Sequence, residues 1–163
     1  MSASNLVLVD TNVWLDYLLG FRQNHKPARD FVIGATELDI PLVIAPHSLK
    51  DLFYIFQQQM KRAIRAEGAA VTEDAALAVQ KAAWAALDTV MQLATVDPSD
   101  QMAAQIAAKQ RAVHPDYEDN LLIACAMLIE ARMLVTSDEQ LLRHAPMTAL
   151  SPEDALKALS ISA

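Results

Sequence analysis

Asp10, Asp51, Asp119 and Asp138 are spread across most of the chain, yet each stands where an apolar run gives way to a polar turn or where a helix should open. Acids so alike in setting can converge on one pocket. Carboxylate oxygens with no histidine or cysteine at ligand spacing suit a hard divalent cation, Mg²⁺ or Mn²⁺, which keeps several waters and needs few protein oxygens. Zinc is disfavoured, since it takes nitrogen and sulfur ligands. No nucleophilic triad is visible, so the chemistry these acids support is metal-assisted hydrolysis, in which the ion activates water and offsets the charge on a phosphate.

Each acid also has a structural explanation. Ser48 and Asp51 have the spacing of a capping box, as do Thr136 and Glu139 around Asp138. Any carboxylate in a first helical turn gains about 0.3 to 1 kcal/mol from the helix dipole, which covers Asp119 as well. Asp10 is harder to explain this way: directly after a buried run, its carboxylate loses hydration unless something cationic compensates.

The elements that must position these acids follow from the apolar pattern. Residues 6–9, Leu-Val-Leu-Val, suit a buried strand, followed by the turn Asp10-Thr-Asn12 and a helix carrying Val13, Trp14, Tyr17 and Leu18. The pattern predicts a helix over 27–38, a strand over 42–45 ended by Pro46, and a long helix opening at Ser48 with Asp51 in its first turn. Gly68 breaks that helix. The alanine-rich stretch 72–91 should form another, making a hairpin with it. A weak strand at 93–96, a helix over 99–112 and an interruption at His114-Pro115 come next. Then follow a central buried helix over 117–131, a strand at 133–136, a short helix at 137–143, an edge strand at 147–150 and a last helix from Pro152. Strands alternating with helices indicate an α/β fold, a three-layer α/β/α sandwich around a central parallel sheet of four to five strands. One domain over residues 1–163 is expected, with a core at about 6–145 and a helical hairpin at about 48–92. Ligands of such sheets collect beyond the carboxyl ends of the strands, which is where all four acids should lie.

Composition narrows the class. At 163 residues and 53% hydrophobic content, the chain can bury a sizeable core. No run approaches the roughly 18 apolar residues of a membrane span, and the N-terminus lacks an export signal, so a soluble, cytoplasmic protein is expected. Cys125 has no partner for an internal disulfide and reads as a small buried hydrophobe. The net charge of −7 and pI near 4.9 argue against a surface that grips nucleic acid everywhere, because phosphate binding is largely electrostatic. A local basic rim remains open. Lys50 adjoins Asp51, and Lys61, Arg62 and Arg65 follow along the same helix, each either a phosphate contact or a solvated helix residue. His47 and His114 flank the middle acidic blocks as loop or capping residues or as substrate contacts. Trp14, Phe53, Tyr54 and Phe56 have helical spacing, which suits core packing or a subunit contact, with base stacking as the alternative. Trp84 reads as an interface anchor.

Three blocks carry a family resemblance: Val9-Asp10-Thr11-Asn12-Val13-Trp14-Leu15-Asp16, Asp116-Tyr117-Glu118-Asp119-Asn120-Leu121-Leu122, and Val135-Thr136-Ser137-Asp138. In order and spacing they resemble the acidic blocks of PIN domains, over about residues 6–145. The central block Ser48-Leu-Lys-Asp-Leu-Phe-Tyr54 resembles a subgroup with Asp where many members have Glu. The resemblance implies Mg²⁺ or Mn²⁺ dependence and ribonuclease activity, and small stand-alone bacterial members are often VapC-type toxins of type II toxin-antitoxin pairs. Asp10, Asp119 and Asp138 would then bind or orient the metal, with Asp51 completing the catalytic set. Asn12 and Thr136 would support them by hydrogen bonding, with Asp116 and Glu118 as acidic neighbours; Asp16, though close to Asp10, reads as a solvated helix residue. The partners implied are an RNA substrate, an antitoxin protein over the site or the hairpin at 57–91, and a second copy in a homodimer. Two other readings stand beside this one: an aspartyl-phosphate phosphatase, for which Asn12 occupies the place of the usual second acid, and a PIN-fold binding module without nuclease activity.

Overall fold

Apolar runs bounded by polar turns build one five-stranded sheet in the computed structural model, which describes residues 5–98, 101–112 and 115–162. The strands are β1 (Val7–Val9), β2 (Leu42–Ile44), β3 (Ala94–Val96), β4 (Met133–Val135) and β5 (Ala149–Leu150). All pairings are parallel, in the order β3-β2-β1-β4-β5. Leu8 pairs with Val43 on one side and Leu134 on the other. The strand order reverses at β1, so the crevice between the ends of β1 and β4 is the topological switch point.

Side chains alternate across the sheet and divide the core in two. Val7, Val9, Leu42, Ile44, Met133 and Val135 face a cluster with Trp14, Phe31, Leu52, Val90 and Leu159. These come from α1 (Thr11–Leu18), α2 (His25–Glu37), α3 (Pro46–Ala66), α4 (Glu73–Leu93) and α8 (Pro152–Ser162). Leu8, Val43 and Leu134 face the other cluster, with Ala103, Ile123, Cys125 and Leu141. Those belong to α5 (Gln101–Lys109), which runs on into a 3₁₀ turn (Gln110–Ala112), α6 (Tyr117–Leu128) and α7 (Glu139–His144). The three-layer α/β/α sandwich expected from the pattern is therefore present. No helix among the described residues is long and apolar enough to cross a membrane.

Helices α3 and α4 pack against each other. Thr72 caps α4 by accepting the Ala75 N–H at 3.2 Å, and Gly68, at φ +80°, supplies the left-handed turn that stops α3. Phe53 packs on Trp84 across the hairpin with ring centroids 4.8 Å apart.

Two boundaries differ from the sequence reading. Pro46 does not merely end β2: it opens α3, since proline fits a first helical turn where its missing N–H costs nothing. Asp51 thus lies in the second turn, and the N-cap is Ala45. The Ser48–Asp51 capping box does not exist. At the other end, α6 stops at Leu128, three residues early, because Glu130 turns left-handed (φ +50°) and the Ala131 N–H closes on the Ala126 carbonyl at 2.8 Å. Ser99, where a helix start was expected, and His114 lie outside the described residues.

Leu52 is fully buried where α3 meets the sheet-facing cluster. Leu52→Ala should cost about 2 to 5 kcal/mol in urea unfolding. Leu77→Ala, at a position half exposed on α4, should change stability by less than about 0.5 kcal/mol.

A candidate metal centre at the carboxyl ends of the strands

Asp10 follows β1 without an intervening residue, so the sheet itself aims it at the switch point. Its backbone N–H donates to the Val135 carbonyl of β4 at 2.9 Å, and its carbonyl accepts from Val13 and Trp14 to start α1. The side chain is only 8% exposed. Thr136, fully buried after β4, donates its hydroxyl to Asp10 Oδ2 at 2.7 Å and accepts the Asp138 N–H at 3.0 Å. One hydroxyl thus couples the first acid to the turn that carries the last.

Asp138 is the N-cap of α7, and its Oδ1 accepts the N–H groups of Gln140 (2.7 Å) and Leu141 (3.1 Å). The cap is Asp138 itself, and Thr136 serves Asp10 instead of a capping box with Glu139. Capping and metal binding are compatible here, because the second carboxylate oxygen takes no part in the cap.

Burial raises the Asp10 pKa above its ordinary 3.8; the Thr136 hydroxyl and the Thr11 and Asn12 N–H groups oppose this, and the Asp138 charge adds to it. Neither N–H makes a capping hydrogen bond of normal geometry to the Asp10 side chain. Asn12 stands in the first turn of α1. A carboxyl group desolvated beside a second carboxylate is stabilised as an anion by a cation placed between them.

The remaining acids have other partners. Asp51 pairs with Lys50 Nζ at 3.2 Å and, with Asp97, acts electrostatically on half-buried His47. Burial lowers the His47 pKa, while Asp51 opposes, Lys50 adds and Asp97 opposes. Asp97 is 3% exposed, directly follows β3, and hydrogen-bonds through its N–H to the Ile44 carbonyl at 2.9 Å. The sequence reading passed over it, although strand-then-aspartate is the signal that singled out Asp10. Asp97 and Asp138 stand three strand spacings apart, about 14 Å, so no single ion spans both. Asp119 sits half-buried in the first turn of α6, whose N-terminus lies at the carboxyl end of the sheet because the helix runs back to feed β4. Asp116 is the N-cap of that helix, accepting from Glu118 (2.8 Å) and Asp119 (3.2 Å), and Glu118 is exposed.

Asp16 differs from the solvated helix residue expected. It is 2% exposed, ion-paired with Arg22 Nε, and accepts the Ser137 hydroxyl at 3.3 Å; Arg22 also donates to Gln59 of α3 at 2.8 Å. The turn 136–138 is thus held by two acids of the α1 segment, Asp10 through Thr136 and Asp16 through Ser137.

Among the described residues no three His, Cys, Asp or Glu side chains already stand close enough to hold one ion together. Mg²⁺ asks for less: one or two carboxylates with waters and substrate oxygens complete its shell. Asp10 and Asp138, all-oxygen donors with one cation-hungry carboxyl, fit it. Lys61 and Arg65 lie about 15 and 21 Å along α3 from Asp51, too far to meet a phosphate at the acids. Arg62 instead lines a cavity of about 530 Å³ with Phe21, Gln59, Ala63, Ala66 and Glu67.

The fold is an open parallel sheet with Asp10 and Asp138 at its switch point. The sequence profile of the PIN domain matches residues 6–140, and the chain belongs to that family, whose members are generally nucleases that use divalent metals. Among solved structures, VapBC2 from Rickettsia felis bound to a DNA fragment from their promoter is similar in fold, with a TM-score of 0.63, 11% identity, and coverage of 90% of this chain and 98% of that one. A comparison with curated proteins finds no match.

Two measurements check the site. The folded protein holds the Asp10 proton more tightly than the unfolded chain, so this group lowers stability as pH rises from about 4 through its raised pKa, with the full cost above it. Metal-free Asp10→Asn should melt above the parent at neutral pH, and the gap should close as pH approaches 4. Asp16→Ala strands the Arg22 guanidinium and the Ser137 hydroxyl, and should cost about 1 to 3 kcal/mol in chemical denaturation.

Proposed function

We propose that the protein is a Mg²⁺- or Mn²⁺-dependent endoribonuclease, the toxin of a toxin-antitoxin pair. The observation that carries this reading is the Asp10–Thr136–Asp138 link at the switch point, where a buried carboxyl and a second carboxylate face one crevice. Asp10 and Asp138 would hold the ion, Asp119 would reach it from the first turn of α6, and Asp51 would close the acidic set from the second turn of α3. The bound ion supplies activation of water and neutralisation of phosphate charge. The chain's own part is to orient: Thr136 fixes Asp10, and Asp16 through Ser137 fixes the turn bearing Asp138. Water adds to phosphorus and the 3′-oxygen leaves, giving a 5′-phosphate end.

The choice of RNA over DNA rests on the family resemblance, since this hydrolysis needs no 2′-hydroxyl. An antitoxin partner is supported by the likeness to the VapBC2 fold and by an apolar groove of about 380 Å³. Leu18, Phe21, Phe56, Met60 and Ile64 line it, between the end of α1 and the distal half of α3. A homodimer and a cytoplasmic location belong to the same reading.

The decisive assay incubates the protein with mixed single-stranded and structured RNAs. Cleavage should require Mn²⁺ or Mg²⁺, stop with EDTA, and fall at least about a hundredfold in Asp10→Asn, as expected when a group central to charge stabilisation is lost. Mn²⁺ should also raise the melting temperature of the parent and not of the variant. Equal cleavage by parent and variant would overturn the mechanism. A rise in melting temperature without cleavage of any RNA would instead favour a binding module.

A further inference from the structure

α3 is electrostatically unlike the rest of the chain. It carries Lys50, Lys61, Arg62 and Arg65 against a single acid, Asp51, in a protein of net charge −7. At 100° per residue, Tyr54, Lys61 and Arg65 lie about 40°, 20° and 60° round the helix from Lys50, so these four share one face over about 22 Å. Lys61 and Arg65 make no ion pair among the described residues. Arg62 points elsewhere, into the Phe21 cavity.

Three rings are joined beside this stripe. Phe53, half-buried, contacts Tyr54 edge-on at 5.4 Å and Trp84 of α4 at 4.8 Å. Tyr54 remains 65% exposed and Trp84 57% exposed, although rings of this size are normally covered. Tyr54 stands one helical turn beyond Asp51, so the platform begins at the acidic rim and the cations continue away from it.

We propose that this face of α3, with Trp84 beside it, is a track for single-stranded RNA: Lys50, Lys61 and Arg65 take phosphates, and the Tyr54 and Trp84 rings take unpaired bases. The inference rests on the nuclease reading and adds the surface along which the substrate lies. A duplex keeps its base faces stacked and hidden, so exposed rings next to a basic stripe match an unpaired strand. A second copy of the chain fits less well, because a symmetric contact through this face would set the same cations against one another.

The test is fluorescence anisotropy with an end-labelled single-stranded RNA long enough to span α3, in EDTA so that nothing is cut, beside the same RNA annealed to its complement. Tyr54→Ala and Trp84→Ala should each weaken single-strand binding about 5- to 100-fold without changing its salt dependence. The double variant Lys61→Gln, Arg65→Gln should lower the slope of log K against log salt by about 1.4, two phosphate contacts' worth. Arg62→Gln removes the same charge from another face and should leave binding unchanged, and the duplex should bind more weakly than the single strand. The inference is overturned if the aromatic variants bind as the parent does, if Arg62→Gln weakens binding as much as Arg65→Gln, or if Trp84→Ala converts a dimer to a monomer with RNA affinity intact. Binding is read without cleavage, so an intact track on an inactive protein would count against the nuclease reading alone.

Discussion

A carboxyl group placed directly after a buried strand loses most of its hydration, and the rest of the acidic rim is arranged around that loss at Asp10. The Thr136 hydroxyl offsets part of it, and Asp138 on the same turn makes the anion harder still to sustain. A fold that sought stability alone would place an amide at position 10. The sheet topology is what brings this about: β1 and β4 are neighbours whose connections leave in opposite directions, so the crevice at their ends cannot be filled by a crossing chain. Asp16 and Arg22 extend the arrangement outward, tying the β4 turn to α1 and, through Gln59, to α3. The β4 turn is thereby held at two points where the charge is least comfortable.

Much of this was legible in the chain. Short apolar runs fixed the strands because a sheet covered on both faces leaves no polar side to alternate with. Asp10 stood out for the same reason: nothing local explains a carboxylate there. The failures have local causes too. Pro46 was read as the end of a strand, whereas proline is equally at home in the first turn of the next helix, and moving the helix start by two residues took Asp51 out of capping range. Asp97 was missed because β3, with one buried residue of three, gives a faint strand signal. Asp16 was misjudged because its partner Arg22 lies six residues on, beyond the helix end, where no i, i+4 rule connects them. The pairing of β1 with β4, which brings Thr136 to Asp10, was a matter of topology, and strand order cannot be read from periodicity.

If the substrate is RNA, the charge distribution resolves an apparent conflict between an acidic protein and a polyanion. Asp10, Asp97 and Asp138 stand just beyond strand ends, while the cations of α3 run along a helix about 31 Å long, roughly three times the length of the strands it leaves behind. Net charge averages over these regions and describes neither. Fields that differ in sign over such distances act separately, because at physiological salt charges more than about 8 Å apart are strongly screened through solvent.

On the nuclease reading, that separation has a kinetic meaning. A phosphate chain held on α3 is attracted at the far end of the helix and repelled at the near end, where Asp10, Asp138 and Asp51 face it. Without a cation the scissile phosphate is therefore the last to settle, since every carboxylate placed to bind the ion also opposes the substrate. With the ion bound most of the negative charge at the rim would be neutralised, and the same strand could lie flat. Metal occupancy would then govern where the strand lies as well as whether water is activated, and the two roles fall on the same carboxylates. Lys50 is suited to the junction: paired with Asp51 at 3.2 Å, it screens that acid from the strand and is the cation nearest the point where the field changes sign.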